Sequence, residues 1–469
     1  MLRHRRCHIT FFLMLFWCLA GTAQAFASSS CPSSRSPVLA AQAMPPLNTP
    51  TPQQAEPPVN PPVTHAKTET ERYTLSHERY EKAVAYSRAG YTLYFVLVFF
   101  DLAVLIFVLR FGIAAKYRDI ILRRTENWFL QGLLYIPLLI VTLDLLELPF
   151  YIYWHSLSLR YQQSVQGWAS WLRDWTKEEA IWTGLYILLF VILFWIMGKS
   201  PRRWWVYFWM SALPILVFFF YISPWFVEPL FYKFEPLQLH HPDLVVAIEK
   251  VTQRAGLDIP PDRMFLMRAS EKNNEINAYV TGFGASKRVV IWDNTVAKTR
   301  IPETLFIFGH EAGHYVLGHV LHGLIFFAAA LFVGFYLTYC GLHWIIDRWG
   351  KSWKIYGQRD WASIAVVLLI FQVLFFLSSP IVHGFSRMQE HEADIYGLEI
   401  IHGLVPNSAE VAAHSFQVMG EADLSDPNPS PFITFWLYSH PPLAERLVFA
   451  HSYDPWSEGQ SPKYIKSPR

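Results

Sequence analysis

Six runs of apolar residues, each close to the length a bilayer requires, constrain this chain more than any other feature. A helix crossing a membrane needs about 20 mainly apolar residues. Runs of that kind cover residues 91–109, 128–150, 180–197, 204–226, 321–346 and 361–385. With 52% of its 469 residues hydrophobic and only 16% charged, the chain is far more apolar than an ordinary soluble protein. The first partner implied is therefore the lipid bilayer. A formal net charge of +2, with no basic run interleaved with aromatics, argues against a nucleic-acid partner.

Ahead of the first span, Arg3, Arg5 and Arg6 precede an apolar run over residues 9–20 and the small-residue pattern Ala23-Gln24-Ala25. Residues 1–25 are thus expected to be a signal peptide cleaved after Ala25, or an uncleaved signal anchor. Residues 26–65 form a Pro-rich tether, with ten of the chain's 31 prolines falling in residues 31–62. The cysteines, Cys7, Cys18, Cys31 and Cys340, define neither a disulfide framework nor a Cys metal site.

Lys and Arg gather after alternate spans: Arg110, Lys116, Arg118, Arg123 and Arg124 after the first, Lys199, Arg202 and Arg203 after the third, and Arg348, Lys351, Lys354 and Arg359 after the fifth. By the positive-inside rule these loops are cytoplasmic. Residues 227–320 and 386–469 then share an exported face, in an integral multi-pass protein of a bacterial inner membrane. Lys67, Arg72, Arg79, Lys82 and Arg88, before the first span, run against that orientation. The resulting division is a helical membrane region with four spans at 66–226, a first catalytic part at 227–320, two spans at 321–385, and a second catalytic part at 386–469.

Asp101, Asp144 and Glu147 fall within spans, where ionisable groups face a polar cavity or a partner. They suggest either a wet chamber that admits substrate or paired carboxylates near a helix end. Tyr161, Val165, Trp168, Leu172 and Trp175 recur at helical spacing and predict an amphipathic helix on the membrane surface.

The chemistry concentrates in His310-Glu311-Ala312-Gly313-His314, an H-E-x-x-H pattern in an apolar segment. On a helix, the two histidines lie one turn apart on the same face and can hold one Zn2+, while Glu311 acts on its bound water. Pro302 and Glu303 suit the first turn of that helix. Upstream, strand-like runs at 264–267, 277–281 and 288–292 predict a small antiparallel hairpin beside it, whose free edge could hold an extended peptide. The fold expected is mainly α: a polytopic helical membrane protein with a small α+β catalytic domain.

A catalytic zinc takes three protein ligands and keeps one position open. His319, nine residues from His310, would lie half a turn away on a continuous helix and face elsewhere. Just past the last span, Glu390 and Asp394 are four apart, so on a helix one can bind the metal while the other accepts a hydrogen bond from a ligand histidine. Glu392 and His391 would point elsewhere.

These segments, H-E-x-x-H, then Ser386-Arg387-x-x-Glu390-x-x-Ala393-Asp394, then Tyr438-Ser439-His440-Pro441-Pro442 with Glu445-Arg446, resemble the membrane zinc endopeptidases of the CAAX prenyl protease type 1 and HtpX family, which are gluzincins. The likeness spans about residues 90–450 and is greatest to the CAAX prenyl protease branch. It implies a zincin-like catalytic domain with a single Zn2+ per chain held by His310, His314 and Glu390. It further implies Glu311 as general base, Asp394 supporting a ligand, His440 and Arg446 near the substrate, and Asn277, Ala278 and Tyr279 in a substrate-binding edge strand. That branch has seven spans; six follow the signal here, and the count becomes seven if the N-terminal apolar run is retained.

The activity expected is zinc-dependent hydrolysis of peptide bonds in peptide or membrane-protein substrates, in membrane-protein processing or quality control. CaaX-type processing of prenylated peptides is the alternative, and a non-catalytic membrane scaffold or chaperone a further one. An intact Glu311 argues against the scaffold, and the lack of paired interrupted spans argues against a transporter. No oligomeric state is implied.

Overall fold

A computed structural model describes residues 73–465 apart from 222 and 283. The expected signal and tether lie outside the described residues. The apolar runs form long helices: α1 (His77–Arg110), α3 (Trp128–Arg160), α4 (Trp168–Lys199) and α5 (Trp204–Tyr221), with the short amphipathic α2 (Ile113–Leu122) between α1 and α3. Two more spans follow the catalytic motif, α9 (His319–Trp353) and α10 (Ser363–Ile401). Five of these helices are long and apolar enough to cross a membrane, and α5 is a shorter apolar helix. Each of the six apolar runs is therefore helical over most of its described residues.

The bundle closes by aromatic packing. Trp361 stacks on Phe194 with ring planes 1° apart and centroids at 4.6 Å. Gly132 makes room for it, since a Cβ there would come within 2.6 Å of the Trp361 ring.

Between α5 and α9 the chain builds β1 (Phe234–Pro236), α6 (Pro242–Arg254), β2 (Met264–Met267), β3 (Ala278–Thr281), β4 (Arg288–Trp292), α7 (Asp293–Lys298) and α8 (Ile301–Val316). The strands form one sheet in the order β1-β2-β4-β3. β3 and β4 are the expected antiparallel hairpin, with Val280 opposite Val289. Gly282 at their turn has φ +97°, and a Cβ there would fall 2.3 Å from the Ser286 carbonyl oxygen, so the turn requires glycine. β2 joins parallel to β4 and β1 antiparallel to β2, which leaves β3 at an edge.

After α10 come α11 (Ser408–Ala422), α12 (Pro431–Leu437) and α13 (Leu443–Ser452). One core mixes both extramembrane parts: Phe306 and Phe308 of α8 and Val289 of β4 are buried with Ile400, Phe416 and Ala450. A fully buried phenylalanine contributes about 1.5–3 kcal/mol, so this core holds the two parts together on one side of the bundle.

The surface amphipathic helix expected around residues 161–175 does not form as a separate element. Helix α4 starts at Trp168, after Gly167, and runs without interruption into the third span. Residues 163–166 instead cross to the catalytic domain, where Ser164 bridges Asn273 and the Val165 N–H donates to the Lys272 carbonyl at 3.0 Å. A sequence period cannot distinguish a short surface helix from an extension of the helix that follows it.

Asp101, Asp144 and Glu147 are buried between the spans. Asp101 receives the Gln372 side-chain amide at 3.4 Å, and Glu147 receives the Tyr151 hydroxyl at 2.8 Å.

Candidate metal centre

Helix α8 begins where Glu303 accepts the Arg300 N–H at 2.6 Å and its Nε–H at 2.9 Å. Burial alone would raise the Glu303 carboxyl, but these bonds to Arg300 hold it below its ordinary value. The helix then packs against α10 at unusually close range. A Cβ on Gly309 would come within 2.6 Å of the Ile400 side chain, and one on Gly313 within 3.0 Å of Tyr396. One on Gly397 would lie 3.1 Å from the backbone nitrogen of His310. Three glycines thus let two backbones approach, and their side chains meet between them.

What meets is His310 and His314 from α8 and Glu390 from α10, all buried. Nε2 of His310 is 3.1 Å from Nε2 of His314 and 3.2 Å from Glu390 Oε2, and Nε2 of His314 is 3.6 Å from Glu390 Oε1. A tetrahedral zinc with ligands at 2.0–2.1 Å has edges of about 3.3 Å. The two Glu390 distances are to different oxygens of its carboxylate; the three groups stand close enough to share such an ion, and two imidazoles with one carboxylate are a donor set suited to it. The electrostatics agree: against burial, which lowers it, Asp394 and Glu390 raise the His310 pKa to about 9, so the site favours positive charge at this point. Glu390 is itself held well below the usual carboxylate range; burial opposes this, but His440, His314 and His310 prevail.

Around the triangle stands a shell of supporting groups. Asp394 lies one turn along α10 from Glu390, with Oδ1 2.8 Å from His310 Nδ1. Arg446, buried on α13, forks onto Asp394 with Nε at 2.8 Å and Nη2 at 2.5 Å. Arg446, expected near the substrate, thus meets a carboxylate of the site. Burial acts to raise Asp394, but Arg446 and His310 hold it below its ordinary value. His440 reaches the triangle from the loop before α13, its Nε2 3.2 Å from Glu390 Oε2 and its Nδ1 2.9 Å from Ser439 Oγ. Burial lowers its pKa to about 4.

Glu311 is also buried. Burial pushes its carboxyl up to about 8; His310 opposes this and the charge of Glu390 adds to it. A cation bound at the triangle would pull it down.

Asn277 precedes the edge strand, and its carbonyl accepts the Trp292 N–H at 3.0 Å. Neither polar atom of its buried amide side chain meets a hydrogen-bond partner among the described residues. Ala278 and Tyr279 lie in β3 itself, with the Tyr279 hydroxyl donating to Glu228 at 2.5 Å.

His319 is where the sequence expectation fails. The helix stops at Val316, Gly318 takes φ +70°, and a new helix starts at His319. The ring therefore does not point away; its Nδ1 lies 3.0 Å from Nδ1 of His314, and its Nε2 3.2 Å from Glu392 Oε2. Glu392, expected with His391 to point elsewhere, thus reaches His314 through the single residue His319. The Leu317-Gly318 dipeptide carried a signal for the break, because glycine just past a helix end commonly takes this conformation.

Comparison with known proteins places this site in a family. A model described as peptidase family M48 matches residues 238–453, and one described as CAAX prenyl protease N-terminal, five membrane helices, matches residues 63–233. An uncharacterized metalloprotease of Bacillus subtilis, YhfN, is 32% identical over 382 residues, covering 81% of this chain and 88% of that protein. The chain belongs to peptidase family M48. Among other relatives, the CAAX prenyl protease 1 homolog of Arabidopsis thaliana is 27% identical, over 80% of this chain and 87% of its own. The crystal structure of S. mikatae Ste24p shares the fold, with a TM-score of 0.71 at 23% identity, over 82% of this chain and 91% of that one. This M48 protein is an integral, multi-pass membrane metalloendopeptidase.

Proposed function

We propose that the metal is zinc, held by His310, His314 and Glu390, and that the enzyme cleaves peptide bonds in membrane-associated protein substrates. The observation that carries the proposal is the buried cluster in which the Nε2 atoms of His310 and His314 are 3.1 Å apart and lie 3.2 and 3.6 Å from the two oxygens of the Glu390 carboxylate, beside the buried Glu311. When bound there, zinc supplies a Lewis acid and lowers the pKa of its water to about 7. Glu311 takes the proton of the attacking water on its carboxylate and returns it to the leaving amine.

Asp394 keeps the Nδ1 proton of His310 in place and thereby leaves Nε2 free to ligate, with Arg446 anchoring Asp394. His440 stands on the Glu390 side of the triangle, positioned to donate to the oxygen on which negative charge develops. Such a donor contributes about 2.7–4 kcal/mol to transition-state stabilisation. Substrate is held extended along edge strand β3 by main-chain pairing, and the side-chain amide of Asn277, which has no hydrogen-bond partner among the described residues, donates to or accepts from its backbone.

The distribution of Lys and Arg favours a catalytic face exported from a bacterial inner membrane, and hence processing or quality control of membrane proteins. Trimming of prenylated CaaX peptides is the second reading, favoured by the relatives named CAAX prenyl protease 1. Purified protein in liposomes, given an unfolded membrane protein or a prenylated peptide with and without a zinc chelator, tests both. The proposal expects chelator-sensitive cleavage of the unfolded membrane protein. Cleavage of the prenylated peptide alone would favour the second reading, and cleavage that survives removal of zinc would contradict both.

A further inference from the structure

The two histidines of the triangle are supported differently. His310 rests on Asp394, as its Nδ1 position predicts. Among the described residues the corresponding atom of His314 faces the ring of His319, at 3.0 Å, in place of a carboxylate, and His319 in turn faces Glu392 at 3.2 Å. We propose that His319 is a positioning residue for the metal ligand His314, oriented by Glu392, so that the site carries a second supporting relay, His314–His319–Glu392. This rests on the metal-site reading above.

Hydrogen-bond direction makes the relay one-way. A His314 ring that gives the Nε2 lone pair to the metal carries its proton on Nδ1. The 3.0 Å contact then requires His319 Nδ1 to accept. The remaining proton of the His319 imidazole falls on Nε2, and that atom faces the carboxylate oxygen of Glu392, an acceptor only. Every donor in the chain meets an acceptor, and no other assignment of neutral rings with a metal on Nε2 does so.

Neighbouring groups hold the relay in place. Gly318, at φ +70°, ends α8 and turns His319 back toward His314; on an uninterrupted helix a residue five positions on would lie about 140° round the axis. The buried Gln389 side chain, from the turn of α10 that also carries Glu390, donates to the His319 carbonyl at 3.2 Å. Glu392, two residues past the ligand Glu390, comes from that same helix. Helix α10 therefore supplies a ligand, the support for one ligand histidine through Asp394, and the outer support for the other through Glu392. On the outer side, Lys463 Nζ lies 3.9 Å from the second oxygen of Glu392, which ties the relay to the C-terminal segment.

The test measures Zn2+ affinity, not activity alone. The wild-type protein, His319→Leu and His319→Asn are purified in detergent, stripped of metal and titrated with Zn2+ against a competing chelator. Thermal unfolding of each is followed with and without metal. Asn places its side-chain oxygen near the position of Nδ1 and preserves the acceptor; Leu removes it. The expected result is an affinity loss of about 10–100-fold in His319→Leu, as for other supporting groups of ligand histidines, with most of it restored in His319→Asn. The melting temperature of the metal-free protein is expected to change little in either variant. Glu392→Leu is expected to weaken Zn2+ binding in the same direction.

Wild-type affinity in His319→Leu would overturn the proposal. So would an equal loss in Leu and Asn variants, or a loss of metal-free stability as large as that of the metal-loaded form, since either marks a packing residue. Failure of the wild-type protein itself to bind Zn2+ would instead overturn the metal-site reading on which the relay depends.

Discussion

At the scale of single residues, the site divides into groups that a local pattern reveals and groups that only the folded chain reveals. His310, Glu311 and His314 follow from a spacing of four on a helix, and Glu390 with Asp394 from the same spacing on another. His319 faces away from the site only on a continuous helix, and one left-handed glycine invalidates that geometry. Glu311 gives a sharp prediction: Glu311→Gln retains zinc by metal analysis and loses peptide cleavage, by at least the 10^2–10^4-fold (about 3–5 kcal/mol) typical of a lost general base. Cleavage at the wild-type rate would remove Glu311 from that role. Arg446 gives another. Arg446→Leu leaves Asp394 buried without its guanidinium, at a cost of about 3–5 kcal/mol, measurable as a lowered melting temperature. Unchanged stability together with a raised KM would show that Arg446 serves substrate instead.

At the scale of elements, the pairing of α8 with α10 decides whether a site exists at all. Their approach depends on Gly309, Gly313 and Gly397, and the sequence marks these only as glycines within helical patterns, where each weakens the helix by about 1 kcal/mol relative to alanine. The folded structure supplies the compensating reason. Gly397 is the most telling, because the atom a methyl group would meet is backbone and cannot rotate away. Gly397→Ala is expected to cost about 1–3 kcal/mol through overpacking and to weaken zinc binding by moving His310 away from Glu390. A variant with wild-type stability and zinc affinity would show that the helices tolerate a wider gap. The start of α8 carries a pH signature. Because Glu303 sits below its ordinary pKa, its contribution is complete above the unfolded-state value and is lost as the pH falls through the folded-state value. Glu303→Gln should therefore destabilise the protein at neutral pH and less in acid, a difference readable from melts across that range.

At the scale of the whole molecule, the six apolar runs were legible because a bilayer sets their length, and the sharing of one catalytic core by two sequence-distant parts follows from the two spans between them. The docking of the N-terminal end was not legible. Tyr73 fills space opened by Gly420, and the Arg79 guanidinium donates to the Glu421 carbonyl at 2.8 Å, so the extramembrane turns of α1 pack on α11. No periodicity in residues 73–90 encodes a partner more than 300 positions away. The metal site joins residues 310 and 390 across the helix pair α9 and α10. In the proposed site, ligation would link the catalytic domain to the membrane bundle, and metal binding is expected to contribute to folding. The most direct test is the zinc content and peptide-cleaving activity of purified wild-type protein beside Glu390→Ala. The split site described here gives close to one zinc per wild-type chain, and loss of both metal and cleavage in the variant. Stoichiometric zinc and undiminished cleavage in Glu390→Ala would contradict it.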